Sequence, residues 1–161
     1  IPQKNLIDFC GKPMIAWTIQ AARESGLFER ILVSTDDQSI AEVAEEWGAE
    51  APFLRDACAD DYALVSEATA FALQQAMSHW QEDYEYVIQL MANCPLRTSE
   101  DINQAVNKFE VNDRSFQISC FKYGWMNPWW AVKLDSQARP DRLFPDASSQ
   151  RSQDLPELFC P

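Results

Sequence analysis

Apolar positions along this chain fall into two alternating kinds of run. In "PMIAWTIQAARESGL", residues 13–27, Ile15, Ile19 and Ala22 recur at helical spacing with Met14, Trp17 and Ala21 beside them, which predicts a helix with one broad apolar face. Pro13 suits its first position and Gly26 its stop. "RILVSTDD" then predicts a buried strand, because a short β-branched run ends in polar turn residues. A second helix is expected over about 37–47, where Ile40, Val43, Ala44 and Trp47 share a face, Thr35 and Gln38 are spaced as a capping box and Gly48 closes the element. "AEAPFLR" predicts another short strand or edge, and residues 63–80 predict a long helix through Ala68, Phe71, Ala72 and Met77. "YEYVIQLM" predicts a third apolar strand, "TSEDINQAVNKF" a capped helix carrying Ile102, Ala105, Val106 and Phe109, and "SFQISCF" a further strand.

This βαβα order predicts an α/β fold of Rossmann-like type, with a mostly parallel sheet and helices on both faces. At 161 residues a single domain is the expectation. From Lys122 the pattern breaks into an extended ribbon with no long helix and three tryptophans, Trp125, Trp129 and Trp130, close together. These are too many for a small peripheral hairpin to hide, so the ribbon is expected at a subunit interface, with a second mini-core as the alternative.

Charge removes some partners from consideration. Thirteen Lys and Arg against 25 Asp and Glu leave a net charge of -12, which repels a nucleic-acid backbone but allows a small phosphorylated ligand held by local cations, helix N-termini or a divalent metal. No apolar run reaches the roughly 20 residues of a membrane span, so no membrane role is expected. The five cysteines, Cys10, Cys58, Cys94, Cys120 and Cys160, are scattered without zinc-site spacing, and reduced, mostly buried thiols in a cytoplasm are expected.

In open α/β sheets ligands sit beyond the carboxyl ends of the strands, which directs attention to the loops after "ILVST", "APFLR" and "VIQLM". Asp36 and Asp37 could hold a metal or a substrate hydroxyl, or serve only to cap the following helix. Asp60 and Asp61 are weaker carboxylate candidates. Arg55 ends an apolar strand, where a guanidinium needs a carboxylate, a phosphate or a base edge; a functional contact and a structural ion pair are both open. Arg97 could brace its loop against Glu100 or Asp101. The single histidine, His79, lies near a helix end away from these loops, which disfavours Ser-His-Asp or Cys-His chemistry.

The strings "IPQKNLIDFCGKPMIAWTIQAA", "ILVSTDD", "APFLR", "CPLRT" and "QDLPELF", in this order over nearly the whole chain, resemble the cytidylyltransferases that activate nonulosonic acids, the acylneuraminate family with its legionaminic and pseudaminic relatives. The resemblance implies a nucleotidyltransferase that joins CTP to the anomeric hydroxyl of a nine-carbon sugar acid, releasing pyrophosphate with Mg²⁺ present. It places Lys4 at the triphosphate and as the catalytic cation, Asn5, Arg55 and Asn93 at the nucleotide, and Met91, Arg151 and Gln153 at the sugar acid. Family members open with a strand and a phosphate-cradling loop of which residues 1–5 match only the end, and their metal-binding aspartates come later than residue 161, so the resemblance implies an incomplete chain and a magnesium site outside it. "MANCPLRT" departs from the usual pattern at Met91, Asn93 and Cys94, which touches substrate choice. The ribbon at 122–146 matches the family's dimerisation arm, implying a cytoplasmic homodimer. A sugar-binding or scaffold subunit lacking catalysis, and an enzyme for another sugar such as deoxyoctulosonate, are the alternatives.

Overall fold

The apolar face at the start of the chain forms its helix where the spacing puts it: α1 runs Met14–Ser25, buries Ile15, Ala16, Ile19 and Ala22, and ends at Gly26, whose φ of 68° lets its N–H return to the Arg23 carbonyl. The computed structural model describes residues 3–58, 63–112 and 115–161. Ahead of α1, strands β1 (Asp8–Phe9) and β2 (Lys12–Pro13) form a hairpin turned by Cys10 and Gly11 at φ 55° and 85°, the left-handed pair that a two-residue hairpin loop requires. Pro13 therefore ends a strand and stands just before the helix, not at its first turn.

Helix α2, Gln38–Glu46, is capped by Asp37, whose carboxylate accepts the Ser39 N–H at 2.7 Å. Thr35, expected as the cap, instead accepts the Asp37 N–H at 3.1 Å and so braces the residue that does the capping. Helix α3 spans Val65–Trp80. Helix α4, Ser99–Asn112, begins with a reciprocal pair: Thr98 Oγ1 accepts the Asp101 N–H at 3.2 Å and the Asp101 carboxylate accepts the Thr98 N–H at 2.8 Å.

Between the helices the expected strands are extended, but few pair. A parallel bridge joins Leu32 to Glu50, with Val33 N–H to the Glu50 carbonyl at 2.9 Å and Glu50 N–H to the Ile31 carbonyl at 2.8 Å, and Arg55 N–H reaches the Thr35 carbonyl at 2.8 Å. "YEYVIQLM" forms no ladder among the described residues, and of "SFQISCF" only Phe121 enters a strand, with an antiparallel and not a parallel partner. The reason is that a helix closes its hydrogen bonds within itself, whereas an extended segment registers as a strand only beside a neighbour about 4.8 Å away.

The chain divides into two compact units, residues 1–111 and 112–161. In the first, Ile15, Ile19, Ala44 and Ala49 form the core, covered by Ile31, Val33, Ile40, Val43 and Trp47. In the second, β3 (Phe121–Lys122) pairs antiparallel with β6 (Phe159–Cys160), and β4 (Val132–Leu134) forms a hairpin with β5 (Pro140–Arg142). Trp129 packs edge-on against Phe144 at 5.1 Å and donates its indole N–H to the Pro156 carbonyl at 2.9 Å. Trp125 is 90% exposed. The expectation of buried thiols fails: Cys10, Cys94 and Cys120 are exposed and Cys58 and Cys160 half-buried, because each lies in a turn or on an extended segment and none on a helix face. No helix among the described residues is long and apolar enough to cross a membrane.

Candidate functional site

A cavity of about 520 Å³ opens in the first unit between residues 31–36 and 86–92, with apolar side chains of α1 and α3 along its walls. Most of its lining is aliphatic, and five of its polar residues, Asn5, Ser34, Thr35, Asp36 and Arg55, include those that close the strand segments; Thr18, Arg30, Thr69, Tyr84, Tyr86 and Gln89 line it as well. The strand ends are where an α/β fold places a ligand.

Arg55 is central among the residues that close the strand segments. The backbone bond to Thr35 lays its segment beside residues 31–35, and its side chain is only 18% exposed. Its guanidinium donates a long bond to the Ser34 carbonyl at 3.5 Å and approaches the Asp36 carboxylate at 3.8 Å, while its buried Nε has no partner among the described residues. The Ser34 hydroxyl is also buried without a partner among the described residues. An unmade hydrogen bond of this kind costs roughly 1–3 kcal/mol, so two together describe a place ready for an acceptor atom.

Arg30, which lines the same cavity, shows the opposite arrangement. It donates to Glu82 at 2.8 and 3.2 Å and to Glu50 at 3.1 Å, and stacks over Trp80 at 4.8 Å. Its bond to Glu82 holds that carboxyl below the usual range, and burial, followed by the bond to Glu82, pushes the Tyr84 hydroxyl up. A guanidinium with its partners supplied by the fold is structural; Arg55 has donors to spare.

Met91 lines the cavity, and its backbone carbonyl accepts from Thr18 Oγ1 at 3.2 Å and from Arg97 at 3.4 Å. Arg97 thus does brace its loop, through the Met91 carbonyl, while of the two partners expected for it Glu100 accepts from Gln104 and Asp101 from Thr98. Lys4 is exposed at the start of the 3-10 turn Lys4–Leu6, next to half-buried, cavity-lining Asn5, and Asn93 is exposed in the turn after Met91. Arg151 and Gln153 belong to the second unit, where Arg151 is paired with Asp154 at 2.7 and 3.1 Å. Asp36 faces Arg55 and Asp37 caps α2; among the described residues no three His, Cys, Asp or Glu side chains gather to hold a metal ion. Asp60 and Asp61 lie outside the described residues. His79 is exposed in the last turn of α3, edge-on to Phe53 and Trp80, and is not among the residues that line the cavity. Sequence reasoning missed Ser34 and Thr18; the one available signal was a hydroxyl closing the apolar run "ILVS" at the strand's carboxyl end.

The cytidylyltransferase family model matches residues 1–137. The chain belongs to this family. Among the family's members it is 41% identical over 124 residues to a pseudaminic acid cytidylyltransferase of Campylobacter jejuni, covering 76% of this chain and 53% of that protein. It is 35% identical over 166 aligned positions to a CMP-N,N'-diacetyllegionaminic acid synthase of Legionella pneumophila, covering 99% of this chain and 65% of that one. It is 30% identical to an N-acylneuraminate cytidylyltransferase of Streptococcus agalactiae over 164 positions, covering 38% of that protein. The chain therefore spans roughly half the length of the pseudaminic relative and under two thirds of the legionaminic one. A solved CMP:2-keto-3-deoxy-manno-octonic acid synthetase, determined with CTP, superimposes with a TM-score of 0.64 over 99% of this chain and 64% of its own, at 18% identity. That likeness establishes the α/β nucleotidyltransferase fold in spite of the sparse strand ladder.

Proposed function

We propose that the protein containing this chain is a CMP-nonulosonate synthetase, transferring the cytidylyl group of CTP to the anomeric hydroxyl of a nine-carbon sugar acid with release of pyrophosphate. Family membership supports the reaction class, and the observation that carries the site is Arg55, which lines the cavity and whose Nε, like the Ser34 hydroxyl, is buried without a partner among the described residues. A planar guanidinium with free donors suits the carbonyl and ring-nitrogen acceptors of a pyrimidine edge. Asn5 would add a further polar contact to the nucleotide, Lys4 a cation for the triphosphate, and Met91, held by Thr18 and Arg97, one wall of the sugar pocket. Asn93, Arg151 and Gln153 complete the proposed contacts, the first to nucleotide and the others to the sugar acid. Nothing in this set forms a bond with substrate: the work is alignment of the attacking hydroxyl with the α-phosphate and neutralisation of charge.

Asp36 and Asp37 do not make a magnesium site, being engaged with Arg55 and the α2 N-terminus, and we place the ligands of magnesium outside the residues described. The whole of 1–161 is read as part of one nucleotidyltransferase domain in a cytoplasmic enzyme, with 122–146 as an arm that pairs two copies; the exposure of Trp125, Trp130, Leu134 and Leu143 supports the arm.

The test is pyrophosphate release from CTP and Mg²⁺ with sialic, legionaminic or pseudaminic acid, using the protein at its natural length. Activity with one of the three is expected, and Arg55→Ala should weaken CTP binding roughly 10- to 100-fold, the loss of one to two charge-assisted hydrogen bonds, without altering the helical circular dichroism. A folded Arg55→Ala protein with unchanged CTP affinity overturns the site assignment.

A further inference from the structure

We infer that Lys12 is a positioning residue for the cavity: its ammonium pins the β1–β2 hairpin against helices α1 and α2, and so fixes the turn Lys4–Leu6 that carries Asn5 to the cavity wall. The ammonium stands over two indole rings at once, 4.5 Å from the centroid of Trp17 on α1 and 5.4 Å from that of Trp47 at the end of α2, and donates to Gln20 Oε1 on α1. Among the described residues no carboxylate lies within ion-pair distance of it, although the chain carries 25 Asp and Glu. A surface acid could satisfy a lysine in many places, whereas a seat between two rings exists only where hairpin, α1 and α2 meet.

The seat is held from its other side as well. Arg23, further along α1, donates to the Trp47 carbonyl at 3.0 Å and lies so close over Gly48 that a Cβ there would stand 2.6 Å from its guanidinium. Trp17 adds a tie of its own, its indole N–H donating to the Phe9 carbonyl at 2.8 Å, and the Met14 N–H closes the base of the hairpin on the Ile7 carbonyl at 2.9 Å. Ile7 directly follows the turn, and the turn packs on α1 and α2. A hairpin that lifts therefore takes Asn5 with it. Of these ties, the one at Lys12 joins the hairpin to both helices, so it is the one whose loss should free the turn.

Two measurements on the protein at its natural length test this, and the first needs no catalysis. Trypsin cuts after Lys4 when the turn opens, and Lys12 is itself no cutting site because Pro13 follows it, so the cut after Lys4, read by mass spectrometry, reports the hold on the hairpin. Lys12→Met keeps the apolar stem and leaves no carboxylate unpaired; with circular dichroism as in the wild type it should speed that cut roughly 5- to 10-fold. Lys12→Gln should do the same, and Lys12→Arg, which can stack on the rings, should stay within about threefold of wild type. An unchanged rate in the two neutral variants, or an arginine variant as open as they are, overturns the inference. The second measurement rests on the cytidylyltransferase reading: Lys12→Met should raise the KM for CTP roughly tenfold with kcat within about twofold, and Lys12→Arg should restore it. A lysine that only stabilises the fold would lower the melting temperature and leave KM as it is, and that result overturns the positioning role. If no sugar acid supports cytidylyl transfer, the enzymatic reading fails while the proteolysis still decides the clasp.

Discussion

The two units of this chain solve the same problem differently. In residues 1–111 the helices close most of their backbone bonds within themselves, with Gly26 ending α1, Asp37 capping α2 and the Thr98–Asp101 pair opening α4, and the core is small but closed around Ile15, Ile19, Ala44 and Ala49. In residues 112–161 the backbone is extended into two short antiparallel ladders, Ala147 is the buried apolar residue among those described, and Trp125, Phe121, Leu134 and Phe159 face outward. Helices can stand on local rules plus one apolar face; extended chain depends on whatever lies beside it. Extended segments in the first unit with one parallel bridge among the described residues, and exposed aromatics in the second, are two forms of that dependence.

Four experiments press on this contrast. The largest effect is expected in the helical core, where Ile19→Ala should cost about 2–4 kcal/mol by removing a side chain that is only 2% exposed; urea unfolding of the first unit measures it, and a loss near zero would mean the core is not closed. Next comes the second unit: Trp125→Glu combined with Leu134→Glu should raise the dissociation constant of the proposed dimer at least about tenfold in sedimentation while leaving circular dichroism unchanged, since both side chains are exposed within this chain. Should the variant stay dimeric, the arm is not the interface.

A smaller effect is expected at a helix end. Asp37→Ala deletes the cap of α2 and should destabilise the first unit by about 1 kcal/mol in the same urea titration, with Asp37→Asn restoring most of it, because an amide oxygen can accept the Ser39 N–H as well. If alanine and asparagine behave alike, the bond contributes nothing. The smallest is a pH effect at α4. Thr98, first through its backbone N–H and then through its hydroxyl, holds the Asp101 carboxyl below its usual range near about pH 4. A depressed carboxyl contributes stability that is present above the ordinary range and disappears as pH falls through the lowered value, so the wild type should lose stability below about pH 4 more steeply than Asp101→Asn. Parallel acid curves for the two proteins would remove Asp101 from the account.

How far each feature could be foreseen follows from the range of the forces involved. Helix positions were legible to within two or three residues, because apolar spacing, capping residues and stops all act over a single turn; the errors were local rivals, Asp37 taking the cap from Thr35, and Pro13 ending a hairpin strand that a two-residue left-handed loop creates. Arg55 was legible as a cation in need of a partner because it closes an apolar run. Its surroundings were not: only packing leaves its Nε and the Ser34 hydroxyl buried without a partner among the described residues, and only packing gives Arg30, an equally charged residue one strand earlier, acceptors on both Glu50 and Glu82. Thr18 and Arg97 meet at the Met91 carbonyl from 73 and 6 residues away, a convergence that no local pattern announces.

The amino-acid sequence by itself determined the family, the alternation of helix and extended segment, and the identity of the helix faces, since each rests on short-range periodicity or on an ordered set of motifs. The tertiary structure alone decided which extended segments pair, which polar atoms are left unsatisfied and where the cavity opens. Those outcomes depend on neighbours distant in the chain, and hydrogen bonding between extended segments is settled by what stands across the gap.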